Sequence, residues 1–266
     1  MKSTYGFDGL RIDTVPEVHP DFWSEFSASS GVYCVGEVFN GNIDYVSSYQ
    51  KYMDGVLSYP LYFTMLDVFG AQHSMTQLET LLGPAGSYWS KFANVNYLGT
   101  FVDNHDNPRF LHSQPSWTLY KNALAMTVFS SGIPIVYYGS EQGYSGGDDP
   151  ANRESLWPNY NTNHELYQFI KVLVTTRKAL GLSTQPQVQR YSSGSFYSFS
   201  RASVLVCLTN SGATSAPVTV SMSYLPYLEG QTVCNVLSDG DCATVANGSL
   251  LVKMTDGLPK VFVPKQ

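Results

Sequence analysis

The stretch Gly9-Leu10-Arg11-Ile12-Asp13 is a short, mostly apolar run that ends in a carboxylate. Two later runs have the same plan: residues 32–36 lead into Glu37, and residues 98–102 lead into Asp103-Asn104-His105-Asp106. Such runs are typical of strands in a parallel sheet. Parallel α/β folds hold their active sites at the carboxyl ends of their strands, so these acids are the first candidates for a site.

Strands and helices alternate through the first two-thirds of the chain. We expect strands at residues 9–13, 32–38, 56–59, 98–102 and 133–138, and helices at residues 22–28, 75–82, 117–129 and 165–180, with another apolar helix running through Phe69. This alternation indicates a parallel sheet with right-handed crossovers. A complete (β/α)₈ barrel needs about 250 residues. The pattern alone therefore leaves two folds open, an open sheet and an incomplete barrel.

The pattern changes at about Gln185. Residues 195–201, 203–208, 218–222 and 261–263 are short β-rich segments separated by Gly, Asn, Ser and Pro, without a helical period. We therefore predict two domains, an α/β domain over residues 1–184 and an antiparallel β-sandwich over residues 185–266.

Composition excludes some classes of partner. The formal net charge is −6 and no run of Lys or Arg occurs, which argues against nucleic acid or an anionic membrane. No apolar stretch is long enough to span a bilayer. With 43% hydrophobic residues the chain can form a sizeable core.

The cysteines bear on the cellular compartment. Cys34 and Cys207 lie in apolar runs, which favours buried free thiols. Cys234 and Cys242 flank a hairpin loop and could form a disulfide, which would place the protein outside the cytosol. Asn247-Gly248-Ser249 is a glycosylation sequon. The first five residues are not a signal peptide, which alone would suggest the cytosol, but the disulfide and the sequon together favour secretion.

Each carboxylate at a strand end has an ordinary alternative, because any one of them could be a helix N-cap or a surface acid. Three strands that each end in a carboxylate make that alternative weaker, since burying a charge is costly without a partner or a function. Glycoside hydrolysis requires a pair of carboxylates around the scissile bond.

At these residues the sequence resembles the α-amylases of glycoside hydrolase family 13, and most closely the fungal-type secreted enzymes. The segment from Gly9 to Asp13 is similar to the nucleophile strand of that family, Gly36-Glu37-Val38 to its acid/base strand, and residues 101–106 to its transition-state-stabiliser strand. The resemblance continues through residues 132–139 and 149–154 and covers nearly the whole chain. It implies a (β/α)₈ barrel, present here as about strands 4 to 8, followed by the β-domain.

The resemblance also implies roles for the three carboxylates. Asp13 would be the nucleophile, Glu37 the general acid and then the base, and Asp106 the stabiliser of the transition state. Arg11 lies on the same face of its strand as Asp13, and its guanidinium would hold Asp13 ionised. A surface charge is the alternative for Arg11, and its apolar neighbours disfavour that.

Further side chains would contact the substrate. By resemblance His105 would donate to a sugar hydroxyl, where an isolated histidine would otherwise be structural. Asp149 and Arg153 resemble a pair that contacts a more distant glucose, although a loop salt bridge is an alternative of nearly equal weight. Tyr59 would line the cleft, with core packing as the alternative.

Two departures from the family pattern stand out. Pro16-Glu17 replaces the Lys-His that usually follows the nucleophile, which puts the leaving-group subsite in question. The carbonyl of Glu17 would still be available to a structural calcium ion. The first three barrel strands and most of the calcium ligands would lie upstream of Met1, so we expect the chain to be a piece of a longer protein that hydrolyses no starch alone.

The sequence therefore predicts a secreted, retaining α-amylase that cleaves α-1,4 bonds in starch or glycogen, with calcium as a structural ion. The partner would be an α-glucan, with no nucleic acid or membrane partner, and the complete protein would be a monomer. The alternatives are a maltogenic or transglycosylating relative and a remnant that only binds carbohydrate.

Overall fold

The computed structural model describes residues 2–265. Within them the α-helices are α1 (Lys2–Tyr5), α2 (Pro20–Ser30), α3 (Ile43–Ser48), α4 (Tyr59–Met65), α5 (Thr76–Leu82), α6 (Tyr88–Lys91), α7 (Phe110–Ser113), α8 (Trp117–Phe129) and α9 (Glu165–Ala179). A π turn, Leu66–Gly70, extends α4, and short 3₁₀ turns include Val15–Glu17 and Ser140–Gln142.

Five short parallel strands form the first part of the chain: β1 (Gly9–Ile12), β2 (Tyr33–Gly36), β3 (Gly55–Val56), β4 (Gly99–Thr100) and β5 (Ile133–Pro134). β1, β2 and β3 pair in that order, and β4 pairs with β5. A parallel bridge between Leu57 and Gly99 joins the two sheets. The strands thus form one arc in chain order, as expected for part of a (β/α)₈ barrel.

All five strands are shorter than the sequence predicts, and two of them show why. The predicted strand 56–59 is wrong at its end, because Tyr59 is the first residue of α4. Pro60 follows at the start of that helix, where its missing N–H costs nothing, whereas a strand would need the hydrogen bond. The run 133–138 pairs only at Ile133–Pro134 and then leaves the sheet through Gly139, whose φ is 85°.

The C-terminal part is a two-layered antiparallel structure. Its larger sheet has the order β11-β10-β13-β8-β7-β6, and its smaller sheet pairs β12 with β9. The strands are β6 (Gln187–Ser192), β7 (Phe196–Arg201), β8 (Val204–Thr209), β9 (Val218–Met222), β10 (Thr232–Asn235), β11 (Cys242–Thr244), β12 (Leu250–Met254) and β13 (Lys260–Pro264). The predicted antiparallel β-domain is therefore present.

The larger sheet is buried on both of its faces. In β8, Val204, Val206 and Leu208 join the core shared with the helices of the α/β part. Leu205 and Cys207, which alternate with them, face the smaller sheet. Because side chains alternate across a strand, a continuous apolar run is what a doubly covered strand requires.

Two buried arginines lie where the α/β part meets the β-domain. Arg177 of α9 donates to the carbonyls of Val128 and Gly132, both at 2.6 Å. Arg201 of β7 donates to the carbonyls of Ser130 (2.8 Å) and Gln185 (3.0 Å). The bond from Arg201 to Ser130 joins the two parts, so the junction is held by polar as well as apolar contacts.

None of the helices within residues 2–265 has the length and apolar character that crossing a membrane demands.

Candidate active site

One guanidinium contacts all three predicted catalytic carboxylates. Arg11, near the end of β1, forms an ion pair with Asp13, lies 2.8 Å from Glu37 Oε1 and lies 4.0 Å from Asp106 Oδ2. Ile12, between Arg11 and Asp13, points into the core instead. The strand alternation therefore places Arg11 and Asp13 on the face that carries the site.

Glu37 is the buried member of the cluster, with only 5% of the residue exposed. Its Oε2 accepts a hydrogen bond from the amide of Thr14 at 3.1 Å. Its Oε1 accepts one from the hydroxyl of Tyr59 at 3.4 Å, and Asn104 in turn donates to that hydroxyl at 3.0 Å. The Thr14 amide, the Tyr59 hydroxyl and the Arg11 guanidinium thus hold the carboxyl group from three directions.

The environment pushes the pKa values of the two predicted catalytic groups apart. Burial raises the pKa of Glu37 above its ordinary value, and the Thr14 amide and the Arg11 charge oppose this only in part. The hydrogen bond and charge of Arg11 hold the pKa of Asp13 below its ordinary value. One protonated and one ionised carboxyl group is the combination that acid-assisted nucleophilic attack requires.

A cavity of about 720 Å³ opens in front of these groups. Asp13, Glu37, Asp106, His105 and Arg153 line it together with Pro16, Glu17, Phe39 and Tyr45. His105 Nε2 lies 3.1 Å from Asp106 Oδ2. Tyr59 is fully buried, so it reaches the site through its contact with Glu37 rather than as an exposed wall.

Asp149 and Arg153 form an ion pair within their loop, with 2.7 Å between Nε and Oδ1. Arg153 also reaches Asp106 Oδ1 at 3.4 Å. The loop salt bridge that the sequence left open is therefore present, and its arginine extends into the cavity.

The residues described do not by themselves fit a calcium ion. Glu17 is exposed in the 3₁₀ turn after Asp13. No three His, Cys, Asp or Glu side chains within residues 2–265 gather as a metal site. Calcium takes six to eight oxygen ligands, so a single carbonyl from Glu17 is not a site.

The predicted disulfide and the two predicted free thiols are present. Cys234 and Cys242 face each other across the β10–β11 hairpin and form a disulfide, with 4.0 Å between their Cα atoms. Cys34 and Cys207 are buried free thiols, as predicted. Asn247 is exposed in a tight turn with φ 53°, so its side chain is accessible.

Sequence reasoning missed several residues of the site. The Thr14 amide carries no side-chain signal, although its place directly after Asp13 could have drawn attention. Asn104 and Asn152 lie within the segments 101–106 and 149–154, but an asparagine carries no charge that would mark it as a site residue. Asn152 is fully buried and bonds the backbone on either side of Asp106.

Comparisons with known proteins agree with this geometry. Residues 2–165 match the family model "Alpha amylase, catalytic domain", and residues 190–266 match "Alpha-amylase, domain C". "Alpha-amylase 2" of Schwanniomyces occidentalis is 36% identical over 99% of this chain and 53% of its own length. "Beta/alpha-amylase" of Paenibacillus polymyxa is 38% identical over 97% of this chain and 22% of its own length.

The solved structure of an α-amylase from Malbranchea cinnamomea superimposes with a TM-score of 0.93 at 36% identity, covering 99% of this chain and 57% of that one. The chain thus spans about half the length of that enzyme and of the fungal relative, and it corresponds to the C-terminal part of the curated relatives. The arc of five strands is accordingly part of a (β/α)₈ barrel.

Proposed function

The chain belongs to the α-amylase family, and from this premise we propose that its three clustered carboxylates carry out retaining hydrolysis of α-1,4-glucosidic bonds in starch or glycogen. The single observation that supports this best is the Arg11 guanidinium in contact with Asp13, Glu37 and Asp106, three carboxylates that line one cavity. Two carboxylates bound to one guanidinium suit the short spacing, roughly 5–5.5 Å, of retaining enzymes.

In the first step Asp13 attacks the anomeric carbon while Glu37 gives its proton to the departing glycosidic oxygen. The C–O bond to the leaving sugar breaks, and an ester bond to Asp13 forms. The raised pKa of Glu37 keeps that proton available, and the lowered pKa of Asp13 keeps the nucleophile ionised.

In the second step Glu37, now ionised, takes a proton from water, whose oxygen attacks the same carbon and releases Asp13. Asp106 stabilises the positive charge that develops on the sugar ring in both steps. We assign the substrate hydroxyls nearest this carbon to His105, and a more distant glucose to Arg153 with Asp149. Tyr59 orients Glu37.

The remaining predictions belong to the same proposal. The protein acts outside the cell as a monomer on α-glucan, with the boundary between its domains between residues 184 and 185. The Cys234–Cys242 disulfide supports an oxidising compartment, and exposed Asn247 is its glycosylation site. No step is assigned to calcium, since the described residues do not fit it.

The test uses a hybrid enzyme, in which the part of the Schwanniomyces occidentalis "Alpha-amylase 2" that precedes the matched region is joined to this chain. We expect the hybrid to release reducing sugars from starch and to give products that retain the α-configuration, observed by NMR before mutarotation. Asp13→Asn should lower kcat by about three orders of magnitude or more, because the nucleophile is lost.

Circular dichroism and thermal unfolding of the hybrid and of Asp13→Asn serve as the folding control. A folded hybrid that is inactive on starch would contradict the proposal. So would first products of inverted configuration, or an Asp13→Asn variant with the parent's activity.

A further inference from the structure

Asn152 lies behind Asp106 and bonds the chain on both sides of it. Its side-chain Nδ2 donates to the carbonyl of His105 and to the carbonyl of Asn107, both at 2.9 Å. Asn152 itself is 0% exposed. One amide group therefore holds the two peptide units that flank the carboxylate.

The orientation of this amide follows from chemistry. A primary amide has two N–H hydrogens, and each finds one carbonyl here. The flipped orientation would turn the amide oxygen toward two carbonyl oxygens and lose both hydrogen bonds. Asn152 can therefore hold this backbone only as a donor.

Contacts on the side away from Asp106 fix the loop that carries Asn152. Tyr137 donates to the Asn152 carbonyl at 3.3 Å. Glu154 accepts hydrogen bonds from Arg109 and from the amide of Gly146, both at 2.6 Å. Arg109 is fully buried, and its guanidinium lies 4.5 Å from the centre of the Tyr137 ring. Asn152 thus donates from a loop that is itself held in place by hydrogen bonds.

Asp106 has less support of its own. It is exposed, its amide donates to Asn104 Oδ1 at 3.1 Å, and its carboxylate lies near the side-chain ends of Arg153, His105 and Arg11. Those side chains balance its charge. Arg153 and His105 also line the cavity, however, and Arg11 also pairs with the other two carboxylates. Arg153 Nε also donates to the His105 carbonyl, at 3.2 Å, but it is Asn152 that bonds the backbone on both sides of Asp106.

We propose that Asn152 is a positioning residue for the proposed reaction: through the carbonyls of His105 and Asn107 it fixes the direction in which the Asp106 carboxylate enters the cavity. The inference rests on the proposed function, because it assigns Asp106 to the transition state. Asn152 touches no substrate in this assignment. Its loss should therefore lower kcat and leave KM nearly unchanged.

The experiment compares variants of the hybrid enzyme on starch and maltooligosaccharides. Asn152→Ala removes both donors without adding charge, and Asn152→Asp removes them at constant size. We expect kcat to fall about 10- to 100-fold in both, as for a displacement of about 1 Å at a reacting group. The matched control is Asn161→Asp, the same change at an exposed asparagine farther along the same connection, which should keep the parent kcat.

A double-mutant cycle distinguishes positioning of Asp106 by Asn152 from a general contribution of Asn152 to folding. If Asn152 acts through Asp106, Asn152→Ala should cost less than about threefold in an Asp106→Asn background, because coupled residues are not additive. An equal loss in both backgrounds would overturn the inference, as would an Asn152→Ala variant with the parent kcat. A folded parent hybrid without activity would instead overturn the proposed function and this inference with it.

Discussion

Thr14, the residue after Asp13, has a left-handed backbone with φ 43° and ψ 45°. A β-branched residue rarely adopts this conformation, which costs about 1–2 kcal/mol. The turn aims its amide at the Glu37 carboxyl group, and such a hydrogen bond contributes about 0.5–1.5 kcal/mol, or about 1.5–3 kcal/mol when the group is ionised. The strain is thus of the same size as the interaction that it makes possible. Because Thr14 contributes only its backbone amide, its side chain gives no signal of this contact.

Arg11 should set the pH range in which the hybrid enzyme works. Activity needs Asp13 ionised and Glu37 protonated, so it is present between their pKa values. The Arg11 charge lowers the pKa of both groups. In Arg11→Met both values should rise, moving both limbs of the kcat/KM profile to higher pH. The profile is measured on an activated maltooligosaccharide.

Arg190→Met is the control for this shift, since Arg190 lies in β6 and packs on Tyr224 away from the cavity. Its profile should overlay that of the parent. An Arg11→Met profile unchanged in both limbs would show that the guanidinium does not govern the two carboxyl groups.

At the scale of elements, Asp103 joins β4 to three later segments. Its Oδ1 accepts the amide of Phe110 at the start of α7 at 2.7 Å, and its Oδ2 accepts the hydroxyls of Tyr120 in α8 and of Ser140 in the following 3₁₀ turn. Asp103 is 3% exposed. It stands in the same motif as Asp106, yet it holds helices together instead of facing the cavity.

Removing this carboxylate should destabilise the fold. Asp103→Ala leaves three buried donors without their acceptor, and we expect the free energy of unfolding to fall by about 3–5 kcal/mol. Urea unfolding of the hybrid followed by circular dichroism measures this. Asp21→Ala, at an exposed position of α2, should change it by less than about 0.5 kcal/mol. A similar small loss for Asp103→Ala would show that the buried network contributes little.

Elements were predictable where local signals and packing agree. Helix α8 has the predicted bounds, because Ser116 caps it by accepting the amide of Leu119 and its buried residues form one long apolar run. The strands β3, β4 and β5 are shorter than predicted, since pairing depends on neighbours that a residue pattern does not contain. The short helices α3, α6 and α7 lack a long periodic pattern and were not predicted.

For the whole molecule, sequence motifs placed three distant acids at one sheet edge, and the structure brings them to one arginine. Their chemical roles stay predictions until the kinetic tests. The contacts that hold them, from Thr14 and Asn152, depend on loop paths that no periodicity encodes. The sequence could therefore predict the residues that line the cavity, and less well the residues behind them.

The 266-residue chain alone should be prone to association and inactive on starch. Ile133, Ile135, Val136 and Tyr138 on or after β5 are each more than a third exposed. No described strand pairs with the outer edge of β1 or β5. Unpaired edges beside exposed apolar residues favour aggregation. Light scattering after size exclusion and reducing-sugar release provide the test, with the hybrid as control. A monomeric chain with starch-hydrolysing activity, lost in Asp13→Asn, would contradict this.

The double burial of β8 has a consequence for recombination between relatives. A crossover placed between the two domains would graft a sheet whose Val204, Val206 and Leu208 were selected against one set of barrel helices onto another set. Leu205 and Cys207 would keep their contacts, because their partners lie within the transferred β-domain. The side chains of β8 that face the smaller sheet are therefore independent of the barrel, whereas those that face the helices are not. Successful shuffling would have to carry along the helices that pack on this face, α8 among them, so the unit begins no later than Trp117 rather than at residue 185.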